Sequence, residues 1–135
     1  MGWESIELLF LDSPLNKYAI SVILDMEVIR TNAYASALKR LKKLGASERE
    51  IIAMEDAIAR APESGSVIKA TNGLRKIRFG FGGRGKSGGG RTIYYVMLSD
   101  EVIYLLVAYA KADKADLTAE EKKMFSTLIE ELTHD

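Results

Sequence analysis

The 135-residue sequence predicts an α+β domain: a small, mainly antiparallel sheet with an N-terminal helical hairpin and a C-terminal helix. Three observations carry that reading. Two consecutive segments in the first half repeat apolar residues at helical spacing, each behind a capping residue. Three segments in the second half are rich in Ile, Val and Tyr, or alternate apolar with basic residues, as strands do. A last capped, amphipathic segment closes the chain. The order is β-α-α-β-β-β-α, with helices and strands segregated rather than alternating.

From the N-terminus, Trp3 to Leu11 is rich in apolar residues, Ser13-Pro14 punctuates, and Tyr18 to Leu24 is apolar again. The leading charges are Glu4 and Glu7 and no small-residue cleavage site follows, so the segment reads as a poor signal peptide. Glu27 to Thr31, behind Met26, reads as a short strand. Asn32 or Thr31 caps a helix from Ala33 to Leu44, with Tyr34, Ala37, Leu38, Leu41 and Leu44 inward. Lys39, Arg40, Lys42 and Lys43 form its solvated face, and Gly45 stops it. Ser47 and Glu50 make a capping box for a second helix. Its inward residues are Ile51, Met54, Ala57, Ile58 and Ala61, and Pro62 ends it.

Leu74 to Phe79 alternates as a half-buried strand should. Gly80 to Gly90 is a glycine-rich loop. Thr92 to Leu98 and Val102 to Tyr109 are strands, and the short Ser99-Asp100-Glu101 link makes them an antiparallel hairpin. Thr118 and Glu121 form a second capping box. Leu117, Met124, Phe125, Leu128, Ile129 and Leu132 pack the helix behind it.

Composition excludes several function classes. Cysteine is absent, so thiol nucleophiles and Cys-based zinc sites are excluded. The one histidine, His134, stands beside the C-terminus and is poorly placed for a metal site or a catalytic triad. No apolar run reaches about 18 residues, the length of a membrane-spanning helix. The hydrophobic fraction of 47% excludes a disordered chain.

Gly80 to Ser87 matches G-x-x-x-x-G-K-[ST], the phosphate-binding P-loop pattern. That motif needs a helix directly behind it, whose N-terminus faces the phosphates. Here Gly88-Gly89-Gly90 breaks any helix and a strand follows. The better reading is a flexible, basic hairpin loop that can approach a phosphate backbone closely.

The net charge of zero hides a polarised layout. From Gly73 to Lys111 seven basic residues meet two acids. From Ala112 to Asp135 three basic residues meet seven acids. Lys76 and Arg78 share one strand face, and with Arg91 they can hold a phosphate from several directions. Tyr94, Tyr95 and Tyr109 lie in the same strands, where some could stack on bases. The plainer reading is a solvated basic face above core tyrosines. Asp113, Asp116, Glu120 and Glu121 are acids favoured at a helix N-terminus, rather than a metal site.

The ordered string of motifs narrows the choice. It comprises Gly73-Leu74-Arg75-Lys76-Ile77-Arg78, Gly85-Lys86-Ser87-Gly88-Gly89, Arg91, Ile93-Tyr94-Tyr95, Tyr109, Lys111 and Asp116-Leu117-Thr118. This string resembles the RelE/HigB-type toxins of type II toxin–antitoxin systems, the HigB-like branch in particular. The resemblance runs from about Met26 to Leu132 and is far more specific than the P-loop pattern. It implies a RelE-like fold and a cytoplasmic, ribosome-dependent mRNA endoribonuclease that inhibits translation, with no metal or other cofactor. The implied partners are the ribosome, mRNA and a cognate antitoxin of the helix-turn-helix, HigA-like kind, and no membrane. Family members usually begin at the strand behind Met26. Two readings stand for residues 1–25, a real extra element or an extension from an upstream start codon, and the resemblance favours the second; residues 26–135 are expected to be the toxin domain.

The resemblance also implies roles. Lys76 is the candidate base, and Arg78 and Arg91 hold the phosphate and stabilise its developing charge. Lys111 is a proton donor or phosphate contact. Arg75, Arg84, Lys86, Tyr95 and Tyr109 are expected to touch RNA or ribosome. Some members carry a catalytic tyrosine just before the last helix. Asp116-Leu117-Thr118 stands there instead, which leaves the acid open, with Tyr109 as a substitute. The alternative is a toxin or binding module of the same fold acting on another target, such as DNA gyrase, without RNase activity. The basic triad argues against it, because that activity does not need one.

Overall fold

A computed structural model describes residues 26–133; the expectation for residues 1–25, and His134, lie outside the described residues. β1 (Glu27–Arg30) opens the domain and leads into α1 (Asn32–Lys43). Thr31 caps α1: its hydroxyl accepts from the Tyr34 amide at 3.2 Å and donates to the Leu105 carbonyl at 2.9 Å. One side chain thus ends a strand, starts a helix and ties both to the sheet. α2 (Glu48–Arg60) begins with the expected capping box. Ser47 Oγ accepts from the Glu50 amide at 3.1 Å, and the Glu50 carboxylate accepts from the Ser47 amide at 2.9 Å.

β2 (Ser66–Val67), β3 (Arg75–Phe79), β4 (Gly90–Met97), β5 (Val102–Ala110) and α3 (Ala119–Thr133) complete the chain. A single turn of 3-10 helix, Leu98–Asp100, makes the link between β4 and β5. The sheet order is β1-β5-β4-β3-β2. β1 runs parallel to β5, and the other pairs are antiparallel. The expected α+β class and element order hold, with one addition: β2 is too short to carry a readable period. No helix among the described residues is long and apolar enough to cross a membrane.

Helices cover both faces of the sheet. Tyr34, Leu38 and Leu41 of α1, with Ile51, Met54 and Ile58 of α2, pack on Phe79, Tyr94, Ile103 and Leu105. Phe125, Ile129 and Leu132 of α3 pack on Leu74, Ile93, Tyr104 and Leu106 of the opposite face. Three expected core residues depart from this. Met124 is 58% exposed, and Ala57 and Ala61 face outward. Glu55 instead turns inward, although a charge is expected outside. Its carboxylate takes two hydrogen bonds of 3.0 Å from Arg30 and one of 2.6 Å from the Tyr34 hydroxyl.

Two irregularities shape the end of the sheet that carries the cations. The register between β4 and β5 shifts at Ile93/Tyr94: Ile93 faces Val107 but Tyr94 faces Leu105. Leu106 is the extra residue, so Leu106 and Val107 both pack towards α3. This β-bulge reverses the alternation downstream and brings Tyr109 to the α3 face, opposite Arg91.

The second irregularity is the glycine loop, which is anchored on its N-terminal side by Phe81 and Gly82 while residues 82–88 stay exposed. Phe81, at 1% exposed, plugs into the α1–α2 core. The Gly82 amide donates to the Glu50 carboxylate at 3.1 Å. A Cβ at Gly89 would lie 2.2 Å from the Phe79 carbonyl oxygen, so that glycine permits the close return of the chain. β4 begins at Gly90, and no helix N-terminus faces the loop as a P-loop requires.

Candidate active site

Strand alternation puts Lys76 and Arg78 on one face of β3 and Arg75 on the other. β2 pairs with Arg75 and Lys76 alone, so the remainder of β3 forms an open sheet edge. Between that edge and α2 runs a solvent-open groove of about 940 Å³, where the small side chains of Ala53 and Ala57 leave room. Lys76, Arg78, Lys86 and Asp116 line it. Arg78 and Lys86 are exposed and form no ion pair among the described residues. Lys76 Nζ lies 3.3 Å from Asp116 Oδ1. Partial burial works against the Asp116 carboxylate, but the Leu117 amide and then Lys76 hold it below the usual aspartate range.

Arg78 stands directly across the β3–β4 ladder from Arg91. Like charges so placed repel, and the arrangement is tolerated because Arg91 is engaged elsewhere. Arg91 is 5% exposed. Its Nη1 donates to the carbonyls of Lys86 at 3.2 Å and Gly90 at 3.0 Å, and its Nη2 to that of Ser87 at 3.2 Å. The guanidinium thereby clamps the segment that presents Lys86.

Tyr109 faces Arg91 from β5 and is 7% exposed. Its hydroxyl has no hydrogen-bond partner among the described residues. Lys114 Nζ sits 5.2 Å from the ring centre, a cation–π contact. Burial pushes the phenol up to about 12, with Asp116 adding to the rise and Arg91 opposing it. At neutral pH Tyr109 is therefore a hydroxyl that can donate a proton. The Lys111 amide donates to the Gly89 carbonyl at 2.8 Å, so Lys111 emerges, exposed, beside the base of the loop.

The remaining residues singled out in the sequence lie apart from this cluster. Arg75 Nη1 donates to the Glu63 and Gly65 carbonyls, at 3.0 and 2.7 Å. Arg84 donates to the Leu44 carbonyl at 3.1 Å and stacks over Phe81, 4.8 Å from the ring centre. Tyr95 is half-buried, with Gly73 beneath the edge of its ring. Tyr94 is fully buried and cannot stack on a base in this conformation. Its hydroxyl instead donates to the Pro62 carbonyl at 2.8 Å and accepts from the Gly65 amide at 2.9 Å.

The acids near α3 separate rather than converge. Asp113 pairs with Arg40, and Glu121 takes the Thr118 amide at 2.9 Å and the Lys114 ammonium. No group of three or more His, Cys, Asp or Glu among the described residues is arranged to hold a metal ion. Asp116 is the groove residue that sequence reasoning passed over as a helix-start acid. The signal was present: Thr118 and Glu121 already complete the cap, and Asp116 is surplus to it.

Comparison with known proteins gives this geometry a family. A family model described as the RelE toxin of the RelE/RelB toxin–antitoxin system matches residues 26–134. Among solved structures the chain is similar to an arginine-to-alanine double mutant of the E. coli toxin RelE in the free state. That match has 19% identity, covers 76% of this chain and 94% of the other, and has a TM-score of 0.46. The family model spans all the described residues, from β1 to the end of α3, and the chain belongs to the RelE toxin family of toxin–antitoxin systems.

Proposed function

We propose that this toxin is a ribosome-dependent mRNA endoribonuclease of the HigB-like branch, acting in the cytoplasm. Residues 26–135 form its working domain, and a helix-turn-helix, HigA-like antitoxin neutralises it. The observation that carries the reading is the groove itself, in which Lys76, Arg78 and Lys86 outnumber two acids, Asp116 and the Glu50 carboxylate already held by the Ser47 and Gly82 amides. A surface of that charge suits a polyanion, and an open groove admits a single strand.

In the proposed reaction the 2′-hydroxyl attacks the neighbouring phosphate and gives its proton to solvent water, while the bond to the 5′-oxygen breaks and that oxygen takes up a proton from the site. Arg78 and Lys86 hold the phosphate and offset its growing negative charge. Lys76 is bound to Asp116 as an ammonium, which favours charge stabilisation and protonation of the 5′-oxygen over the role of base. Arg91 acts by holding the loop, and Lys111 extends the cationic track past its base. Tyr109 supplies a second protonated group beside Asp116.

The test is controlled expression followed by mapping of message ends. Cleavage of translated messages, relieved by a co-expressed antitoxin from the neighbouring reading frame, is expected. Intact messages with unaffected translation would overturn the reading, and inhibited DNA supercoiling by gyrase would move the target there. Intact mass of the native protein decides whether the chain starts at Met1 or Met26.

A further inference from the structure

We propose that Asp116 is a positioning residue that fixes the Lys76 ammonium over the groove; this rests on the endoribonuclease reading. A lysine has a long, freely rotating stem and one point charge, so it needs a partner to hold a direction. Lys76 lies where the cover of β2 ends. Asp116 comes from the link between β5 and α3, and its own carboxylate is fixed. The same Oδ1 that lies 3.3 Å from Lys76 Nζ accepts from the Leu117 amide at 3.0 Å.

Two arguments favour positioning over a plain stabilising role. The Lys76 and Asp116 side chains are 28% and 53% exposed, and ion pairs that open to water contribute little to stability. The cap of α3 does not use Asp116, because Thr118 and Glu121 satisfy it. A carboxylate also repels the phosphates that the groove is built to hold. Its presence is explained if it aims the one lysine on the strand beside Arg78. Asp116 acts through Lys76 and does not itself touch the reacting atoms.

The experiment compares cleavage on programmed ribosomes by the full chain and its variants. Asp116→Asn is expected to lower kcat about tenfold with KM within about twofold, since the loss falls on the transition state. Asp116→Glu should recover part of that loss. In a Lys76→Ala background, Asp116→Asn should have no further effect, because the group it acts through is gone. An unchanged or faster kcat in Asp116→Asn overturns the proposal, and so does full additivity of the two substitutions. An NMR titration of the Asp116 carboxylate in the isolated chain separates this from the reading beneath it. Lys76→Ala should raise the midpoint, and an unmoved midpoint overturns the pairing even if the wild-type chain cuts no message.

Discussion

Two arginine-centred regions lie on opposite sides of this small sheet and behave in opposite ways. Beneath α2, Arg30 and Glu55 are both buried, joined by two 3.0 Å hydrogen bonds and braced by the Tyr34 hydroxyl. Along β3, Arg78 is exposed and unpaired among the described residues, and Lys86 beside it is the same. The first region neutralises its charge within the fold. The second keeps an excess of positive charge facing water. Both regions are centred on an arginine of the sheet; what differs is whether the fold has already supplied the partner. The closed region belongs to stability and the open one to binding.

The largest expected effect tests the closed region. Glu55→Ala removes the carboxylate to which buried Arg30 is bonded, and should cost about 3–5 kcal/mol in chemical denaturation. An unchanged denaturation midpoint would mean that the pair is not part of the core. The open region should respond the other way. Lys76→Ala with Arg78→Ala should lower message cleavage by roughly 100-fold or more, about 2.7 kcal/mol of transition-state stabilisation. Stability should stay within about 0.5 kcal/mol. Full activity in that double variant would remove the groove from the reaction.

Arg91 sits between the two classes, buried like Arg30 but joined to the loop of the open site. Arg91→Ala should cost about 1–3 kcal/mol, because three carbonyls lose a charged donor. Hydrogen exchange should then speed up at the amides of Ser87 to Gly89. An unaltered exchange pattern would show that the guanidinium is not the clamp.

A smaller, pH-linked effect marks the closed side. Burial pushes the Glu55 carboxyl up from 4.5 to about 7, against the pull of Tyr34 and Arg30. The folded chain thus binds this proton more tightly than the unfolded chain does. Its contribution to stability is complete below pH 4.5 and is lost as pH rises through about 7. Glu55→Gln should flatten the stability profile in that window, and an unflattened profile would assign the slope to another group.

The smallest change is expected for Tyr109→Phe. Its hydroxyl is buried without a hydrogen-bond partner among the described residues, so its removal should shift stability by no more than about 0.5 kcal/mol. A loss of cleavage in that stable variant would identify the phenol as a proton donor.

What was legible in the sequence was local. Ser47 with Glu50, and Thr118 with Glu121, form their caps as read, because cap chemistry needs only a few neighbouring residues. The element order came from period alone. The fate of each cation did not. Arg75, Arg84 and Arg91 are all engaged by main-chain carbonyls, which a count of acids and bases cannot register. The groove lysine and arginine on β3 were readable because alternation puts them on one face. Their separation from Arg75 obeys the same rule. Phe81 was hidden by its setting among glycines, although a lone aromatic in such a run is itself a sign of an anchor. Asp116 was masked by a rule that accounts for most acids at helix starts.

The bulge at Leu106 has a consequence for length rather than composition. A strand has only two phases, and one residue changes which phase is expressed. Upstream of the bulge the even-numbered residues of β5, such as Tyr104, face α3; beyond it the odd-numbered ones do, Tyr109 among them. Loss of Leu106, the extra residue, would restore strict alternation and leave Tyr109 facing α3, opposite Arg91. Gain of one residue between Val107 and Tyr109 would instead turn Tyr109 into the α1–α2 layer, with every side chain chemically intact. The site is therefore more vulnerable to an added residue here than to a lost one. Homologues that preserve the cationic cluster are expected to shorten this segment at the bulge rather than lengthen it.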